Sequence, residues 1–177
     1  RLGVLARRPA PVQVNWLGYF GTVGLPGVQA VIADPACVPP SEEQWFSERV
    51  WRMPSTRYCF TPPKNAPAVA ELPALHHGDI TFGCFQALPK INDRVIRTWV
   101  RIAERTSRAR WRIRCGLNHS EEERQLLRQR LLEAGMPAER FRVEPSLPRL
   151  QYLASYAEID VALDTFPYPG GTTTAEA

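Results

Sequence analysis

The residues with the clearest chemical potential are two glycines and three threonines near the end of the chain. Gly170 and Gly171 follow residues 159–164, an apolar run that predicts a short buried strand, and threonine occupies positions 172–174. Glycine lets the backbone turn tightly and approach a ligand, and the first amides of a helix beginning at the threonines would attract an anion. The pattern predicts a phosphate-binding turn, whereas a plain turn with a helix cap is its alternative when taken alone.

The composition is typical of a folded, soluble protein. The 177 residues are 44% hydrophobic and carry a net charge of +4, which permits an anionic ligand without identifying one. No run approaches the roughly 18 apolar residues of a membrane span, so we expect a cytoplasmic protein without a membrane partner. Because the chain begins at an arginine and stops where a helix has barely begun, we expect a piece of a longer protein.

The cysteines and histidines predict neither a disulfide framework nor a metal site. The 4 cysteines lie far apart without a C-x-x-C pair, as in an intracellular protein with free thiols. His76 and His77 lie in a proline-rich stretch without another ligand at helical spacing. We therefore expect no metal cofactor.

From Asp79 onward the sequence alternates between strand and helix patterns, which predicts an α/β domain with a parallel sheet. The predicted strands are residues 80–85, 111–115, 141–143 and 159–164, and the predicted helices begin at Asn92, Ser120 and Pro148. Ser120 and Glu123 form a capping box for a helix that should end at Gly135. In such a sheet ligands bind where the loops after the strands meet. Those loops are residues 86–91, 116–119, 144–148 and 165–171.

Apolar residues at helical spacing give each predicted helix a buried face. These residues are Val95, Ile96, Trp99, Val100 and Ala103 in the first helix, Leu126, Leu127, Leu131 and Ala134 in the second, and Leu150, Leu153, Ala154 and Ala157 in the third. In the strand at 111–115, apolar residues alternate with Arg112 and Arg114, which predicts one buried face and one more polar face.

The first part of the chain has a different pattern. Residues 11–17 and 28–33 predict strands, and the loop 18–27 between them contains four glycines, so its backbone must bend closely around something. A helix is predicted near 42–49, and the proline-rich residues that follow predict a linker. The expected division is a first domain at 1–55, a linker at 56–78 and a second domain at 79–177.

Three blocks of sequence closely resemble the catalytic region of the O-linked N-acetylglucosamine transferase family. They are RPAPVQVNWLGYFGTVG at 8–24, FGCFQALPKI at 82–91 and LDTFPYPGGTTT at 163–174. The blocks follow the family's order, and the resemblance indicates a bacterial-type member. It implies a GT-B fold of two Rossmann-like domains facing a cleft, with the end of the first domain and the first part of the second in this chain. Tetratricopeptide repeats that recruit acceptor proteins would lie outside it.

The resemblance implies an inverting, metal-independent glycosyltransferase that moves N-acetylglucosamine from UDP-GlcNAc to serine or threonine hydroxyls of proteins. Charge builds on the departing diphosphate and must be neutralised, yet the sequence has no Asp-x-Asp motif for a divalent metal. Lys90 matches the family's diphosphate lysine and just precedes the Asn92 cap, so its ammonium and that helix's dipole would act on the phosphates. A solvated lysine beside a helix start is the alternative.

The resemblance also assigns phosphate and ribose contacts near the end of the chain. Thr172 and Thr173 match the family's diphosphate-binding pair, and Gly171 stands where animal members have histidine. Glu176 occupies the position of a carboxylate that accepts hydrogen bonds from the ribose hydroxyls.

Base and sugar contacts are implied elsewhere. Leu147 falls where backbone groups read the uracil edge, and Arg149 where a basic residue approaches the nucleotide. Tyr152 would either stack on the base or pack as a helix-face aromatic. Leu17 and Gly18 match residues that line the sugar pocket. The family's essential histidines precede the counterpart of this chain, so no general base is named within it.

Three other functions fit parts of the sequence. Related enzymes that attach hexose to asparagine share much of the donor site, and a degenerate donor domain would bind UDP without transferring sugar. The arginines at 94, 97, 101, 105, 108, 110, 112 and 114 would suit a nucleic-acid surface. Few aromatic residues are interleaved with them for base stacking, so we expect no nucleic-acid partner.

Overall fold

The computed structural model describes residues 2–114 and 119–177, which form an α/β fold of parallel sheets flanked by helices. Two compact units divide the chain, residues 1–61 and residues 62–177. The predicted end of a strand at Cys115 and most of the predicted loop at 116–119 lie outside the described residues. Among the residues described, no helix has the length and hydropathy needed to cross a membrane.

The first unit contains a parallel three-stranded sheet. Its elements are helix α1 (Leu2–Ala6), strands β1 (Val14–Asn15), β2 (Ala30–Ala33) and β3 (Arg49–Arg52), and a 3-10 turn at Pro40–Trp45. The strands follow the order β1-β2-β3, with Val14 opposite Ala30 and Val31 opposite Val50. Val31 and Val50 pack with Ala33 and Val38 to form a small core.

Two predictions for this unit were wrong in extent or type. The strand predicted at 11–17 is only two residues long, because β1 pairs with β2 over Val14 and Asn15 alone. The helix predicted near 42–49 is instead the 3-10 turn followed by β3. Pro40 fixes the start of that turn, and Phe46 returns the backbone to an extended conformation, φ −100° and ψ 132°, that leads into the sheet.

The second unit contains a parallel four-stranded sheet in the order β6-β5-β4-β7. Its strands are β4 (Thr81–Cys84), β5 (Arg110–Arg114), β6 (Phe141–Glu144) and β7 (Val161–Ala162). Its helices are α2 (Ala74–His77), α3 (Asp93–Arg105), α4 (Glu121–Glu133), α5 (Arg149–Ala154) and α6 (Thr172–Glu176), with 3-10 turns at Leu88–Lys90, Ala138–Arg140 and Ser155–Glu158.

The predicted start of α3 and both predicted ends of α4 are confirmed. The Asn92 side chain accepts hydrogen bonds from the amides of Arg94 and Val95 at 3.0 and 3.1 Å. Ser120 and Glu123 form the capping box at the start of α4, and Gly135 takes a left-handed φ of 95° just after its end. These are local signals, which is why the sequence alone carries them.

The main core lies between one face of the sheet and helices α3 and α4. Trp99 of α3 and Leu131 of α4 are buried with the strand residues Trp111, Ile113 and Phe141. The prediction that Leu126 also faces inward was wrong, since it is 59% exposed.

The opposite face of the sheet carries charged side chains, one of which is buried. The sequence predicts a more polar face at Arg112 and Arg114, and Arg114 is nevertheless buried. Both arginines bind the Glu144 carboxylate, Arg112 through Nη2 at 2.7 Å and Arg114 through Nη2 at 2.6 Å. Pairing on adjacent strands makes this burial tolerable, because each charge retains a hydrogen-bonded partner.

The last two predicted elements differ from the structure. The strand predicted as buried at 159–164 is reduced to β7, which is exposed because it forms an edge of the sheet. The third predicted helix ends at Ala154 and continues as a 3-10 turn. Of the four residues predicted to face inward, Leu153 is buried whereas Leu150, Ala154 and Ala157 are exposed. The tighter turn moves Ala157 off the predicted face, and Leu150 lies in the first turn of the helix.

Adjacent leucines in α4 give a matched test of this core. Leu131 is 0% exposed and Leu132 is 42% exposed. We expect Leu131→Ala to lower the free energy of unfolding by about 2–5 kcal/mol, because it leaves a cavity. Leu132→Ala should change it by less than about 1 kcal/mol. Urea denaturation followed by circular dichroism measures both, and equal effects of the two substitutions would contradict the assigned packing.

Candidate functional site

The strand order of the second unit opens a crevice at one point of the sheet. From β4 the chain moves outward through α3, β5, α4 and β6, and then returns through α5 to place β7 on the other side of β4. Because crossovers are right-handed, this reversal puts α5 on the opposite face from α3 and α4. The loops after β4 and β7 therefore frame a crevice at the point where the strand order reverses, which is where open α/β sheets in general bind ligands. We call residues 85–92 and 163–171 the switch-point loops.

Lys90 connects the two switch-point loops. It ends a 3-10 turn that follows β4, and its Nζ donates a hydrogen bond to the Pro169 carbonyl at 3.0 Å. The same ammonium lies 3.4 Å from Oε1 of Gln86 and 4.9 Å from the centre of the Tyr168 ring. The side chain is half-buried. Its positive charge is thus held at the crevice by neutral acceptors.

Gln86 fills the space between the loops. It is 4% exposed, and its Nε2 donates to Oγ1 of Thr174 at 3.3 Å. A Cβ on Gly170 would collide with both of these side chains. Gly170 is therefore required for close packing at this point, which is a more specific reason than turn formation.

Asn92 joins the start of α3 to the second switch-point loop. Its Oδ1 caps the helix, and its Nδ2 donates to the Phe166 carbonyl at 2.7 Å. The two polar atoms of this amide therefore have separate roles: the oxygen caps the helix, and the nitrogen holds the second switch-point loop.

The second switch-point loop is also closed on itself. Oδ1 of Asp164 accepts hydrogen bonds from the amides of Thr165 at 2.8 Å and Gly170 at 2.6 Å. The buried Thr165 hydroxyl donates to the Tyr168 carbonyl at 2.8 Å. This turn is therefore formed before any ligand arrives.

The threonine pair lies at the start of α6. The amides of Thr174 and Ala175 donate to the Gly171 carbonyl at 3.1 and 3.0 Å, which are the first bonds of the helix. The amides of Thr172 and Thr173 precede them and have no acceptor within the helix. Thr172 is exposed, and Gly171 and Thr173 are half-buried. This geometry suits an anion near Lys90.

The two charged residues assigned to the nucleotide are paired with each other. Arg149 and Glu176 form a bidentate ion pair, with Nη1 to Oε2 at 2.9 Å and a second bond from Nη2 to Oε1. The hydrogen bond to Glu176 raises the pKa of Arg149. The Glu176 side chain is only 6% exposed, so the arginine covers the carboxylate assigned to the ribose.

Tyr152 belongs to an aromatic cluster under the crevice. Its ring centre lies 5.8 Å from that of Phe85 and 5.6 Å from that of Tyr156. Its hydroxyl is 2.9 Å from that of Tyr156, which in turn donates to the Thr173 carbonyl at 3.1 Å. Burial raises the pKa of both tyrosines. The structure thus shows Tyr152 in helix-face packing, and stacking on a base stays a prediction, as does the uracil contact of the half-buried Leu147.

In the first unit, the glycine-rich loop bends around a carboxylate. Glu48 is 4% exposed and accepts hydrogen bonds from the Thr22 hydroxyl and the Val23 amide, both at 2.6 Å, and from the Gly24 amide at 3.2 Å. Burial alone would raise the pKa of Glu48, but the bonds from Thr22 and Val23 outweigh it and hold the pKa below its usual 4.5. The carboxylate is therefore ionised at neutral pH.

The residues assigned to the sugar lie at the beginning of this loop. Leu17 is exposed with a left-handed φ of 68°, an uncommon conformation for leucine, and Gly18 is exposed with open space around it. Nη1 of the buried Arg57 lies 3.4 Å from the Leu17 carbonyl. The Trp16 indole donates to the Arg57 carbonyl at 3.0 Å, so the loop begins at a fixed point.

Sequence reasoning missed several residues that shape these loops. Gln86 had a usable signal, a polar residue directly after a strand, and Tyr156 had one in its i, i+4 spacing from Tyr152. Glu48 and Arg57 had none, because the loop contacts described above join them to residues 24 to 41 positions away in the chain.

Comparison with known proteins identifies relatives over the whole length of the chain. The model of Glycosyl transferase family 41 matches residues 1–61. Proteins named probable UDP-N-acetylglucosamine--peptide N-acetylglucosaminyltransferase SPINDLY are 38% identical over 100% of this chain, from Solanum lycopersicum and from Arabidopsis thaliana. A mutant of the O-GlcNAc transferase of Thermobaculum terrenum superposes with a TM-score of 0.88 at 35% identity.

These relatives are much longer than the chain. The alignments cover 19% and 20% of the two plant proteins. The structural match covers 99% of this chain and 33% of the bacterial one. The chain thus spans about a fifth of the length of the curated relatives that it matches.

Asn92→Asp separates the two roles of this side chain. Aspartate is as good an N-cap as asparagine, so α3 should remain folded, but the donor to the Phe166 carbonyl is replaced by a repelling oxygen. We expect hydrogen exchange of the Gly170 amide to accelerate by about tenfold, with unchanged helical circular dichroism. Asn15→Asp, the same change in the first unit, is the control. Unaltered exchange at Gly170 in the Asn92 variant would show that the loop does not depend on this bond.

Proposed function

From the premise that the chain belongs to Glycosyl transferase family 41, we propose that it carries much of the donor site of a protein glycosyltransferase. The enzyme transfers N-acetylglucosamine from UDP-GlcNAc to serine or threonine hydroxyls. The observation that carries the proposal is the position of Lys90, whose ammonium bonds the Pro169 carbonyl beside the start of α6. A cation and helix amides that have no acceptor within their own helix lie at one crevice, and this arrangement supports diphosphate binding.

The reaction places its largest electrostatic demand on the leaving group. The acceptor hydroxyl oxygen attacks the anomeric carbon while its proton passes to a general base, a role assigned to no residue of this chain. The bond from the anomeric carbon to the β-phosphate oxygen breaks, and its electron pair leaves with UDP. Lys90 now bonds two neutral acceptors, the Pro169 carbonyl and Gln86 Oε1. When the donor binds, the ammonium exchanges them for a phosphate oxygen, because a hydrogen bond to a charged acceptor is stronger than one to a neutral acceptor. The amides of Thr172 and Thr173 share the remaining charge. Attack from the face opposite the leaving group inverts the anomeric centre.

We propose that this neutralisation needs no metal cofactor. The sequence lacks the Asp-x-Asp pair with which many sugar-nucleotide enzymes hold a divalent cation. A lysine ammonium and helix amides supply compact positive charge at the same oxygens. Transfer should therefore persist in the presence of a chelator.

The nucleoside is assigned to the segment around α5 and α6. Glu176 accepts from the ribose hydroxyls while Arg149 keeps the carboxylate oriented, as the existing ion pair supports. Leu147 offers backbone groups to the base, and Tyr152 lies beside it. Leu17 and Gly18, in the first unit, are assigned to the acetamido sugar.

The acceptors are proposed to be proteins, recruited by tetratricopeptide repeats elsewhere in the parent protein. A cytoplasmic location fits the scattered thiols, of which Cys37 and Cys59 are free in the part of the chain that the structure describes.

A donor panel on the complete parent protein tests this function. Calorimetry with UDP-GlcNAc, UDP-glucose, UDP-galactose and the bare diphosphates UDP and GDP should show preference for the uridine nucleotide and for the acetamido sugar. Transfer to a serine-containing or asparagine-containing peptide is then followed by mass spectrometry. Preference for a hexose with transfer to asparagine would favour the related N-glycosyltransferase, and binding without transfer would favour a non-catalytic UDP-binding module. Preference for GDP would overturn the uracil assignment.

The two lysines of the chain provide a matched test of the diphosphate assignment. We expect Lys90→Ala in the parent protein to lower kcat by at least about 100-fold, because the departing charge loses its cation, and to weaken UDP binding. Lys64→Ala removes an exposed lysine outside the switch-point loops and should leave both quantities unchanged. Steady-state kinetics and calorimetry measure the two effects. Wild-type turnover by the Lys90 variant would refute the assignment.

A further inference from the structure

We propose that Glu48 is a positioning residue for the donor sugar, acting through the glycine-rich loop of the first unit. The buried carboxylate binds the loop at residues 22–24, and the loop in turn presents Leu17 and Gly18. This inference rests on the proposed function, because the sugar is what Leu17 and Gly18 are assigned to bind. Glu48 lies outside the three sequence blocks that carry the family resemblance, and its role is inferred from the geometry of the loop.

Both carboxylate oxygens of Glu48 are used. Oε1 accepts from the amides of Val23 and Gly24 at 2.6 and 3.2 Å. Oε2 accepts from the hydroxyls of Thr22 and Ser47 at 2.6 and 3.1 Å. An ionised carboxylate, an acceptor with no proton to donate, is the group that matches four donors. The Val23 and Gly24 amides thus share one oxygen, and the left-handed φ of 68° at Gly24, which glycine adopts readily, lets the chain turn directly after them.

The anchor reaches Leu17 through a continuous series of contacts. Tyr19 and Phe20 stack with their ring centres 5.2 Å apart, and a Cβ on Gly21 would lie 2.6 Å from the Tyr19 ring. The Arg57 guanidinium covers the Phe20 ring at 5.7 Å and also reaches the Leu17 carbonyl. The loop is therefore held at Thr22–Gly24 by Glu48 and at Leu17–Phe20 by Arg57. Only Gly21 lies between these two anchored segments, so the loop has little conformational freedom.

This arrangement offsets the flexibility that four glycines give to the loop. A glycine-rich segment loses much conformational freedom when it is fixed. If that loss were left until the sugar bound, it would reduce the affinity for the donor. Glu48 fixes the loop as the protein folds, so the donor meets a preformed surface.

Glu48→Gln in the complete parent protein tests the proposal. Glutamine keeps the shape but loses the charge and one acceptor, so the loop should loosen. We expect the KM for UDP-GlcNAc to rise about tenfold, while the inhibition constant of UDP, which lacks the sugar, changes by less than about twofold. Hydrogen exchange at the Val23 and Gly24 amides should accelerate in the same variant.

The control is Glu43→Gln, which removes an exposed carboxylate paired with Arg52 and should alter none of these quantities. Unchanged KM in the Glu48 variant, or an equal loss of UDP-GlcNAc and UDP binding, would overturn the proposal, the second result indicating a general structural role. Hydrogen exchange separates this proposal from the function on which it rests. If the wild type showed no transfer while Glu48→Gln still freed the two amides, the enzyme assignment would fail and the anchor would stand.

Discussion

The second unit depends on the pairing of β4 with a parallel strand on each side. Phe82 lies opposite Trp111 of β5 on one side and opposite Val161 of β7 on the other. Because β5 precedes β7 in the chain by two crossovers, the loops after β4 and β7 are adjacent in space although about eighty residues separate them. The crevice, the approach of Lys90 to Pro169 and the packing of Gly170 against Gln86 all follow from that adjacency.

In both units, side chains stabilise the loops of the candidate site by forming hydrogen bonds with backbone groups. Asp164 and Asn92 hold the turn before α6, and Glu48 holds the glycine-rich loop. Each bond satisfies a backbone donor or acceptor that an irregular segment cannot satisfy through a helix or a sheet. Loops that carry ligands can then be exposed and still have one conformation, which is the condition for electrostatic preorganisation.

The sequence predicts features that depend on neighbouring residues. The N-cap of α3 and the capping box of α4 lie within a few positions, and the structure has them. The alternation in β5 places Arg112 and Arg114 on one face, but the burial of Arg114 depends on the neighbouring strand. The exposure of β7 was not predictable in this way, because it follows from the strand's place at an edge. In the site, Lys90 and the threonine turn carry local signals, whereas the Arg149–Glu176 pair and the Glu48 anchor join residues more than 20 positions apart. Such contacts are properties of the tertiary fold.

The backbone at Leu17 has a consequence for the evolution and engineering of this region. A left-handed leucine costs about 1–2 kcal/mol relative to the same residue in an ordinary conformation, and contacts such as those of Arg57 and Trp16 offset that cost. The folded chain therefore maintains a backbone conformation that leucine rarely adopts without such contacts. Selection for heat resistance alone would favour a relaxed residue here, so thermal robustness and the present shape of the loop oppose each other at a single peptide.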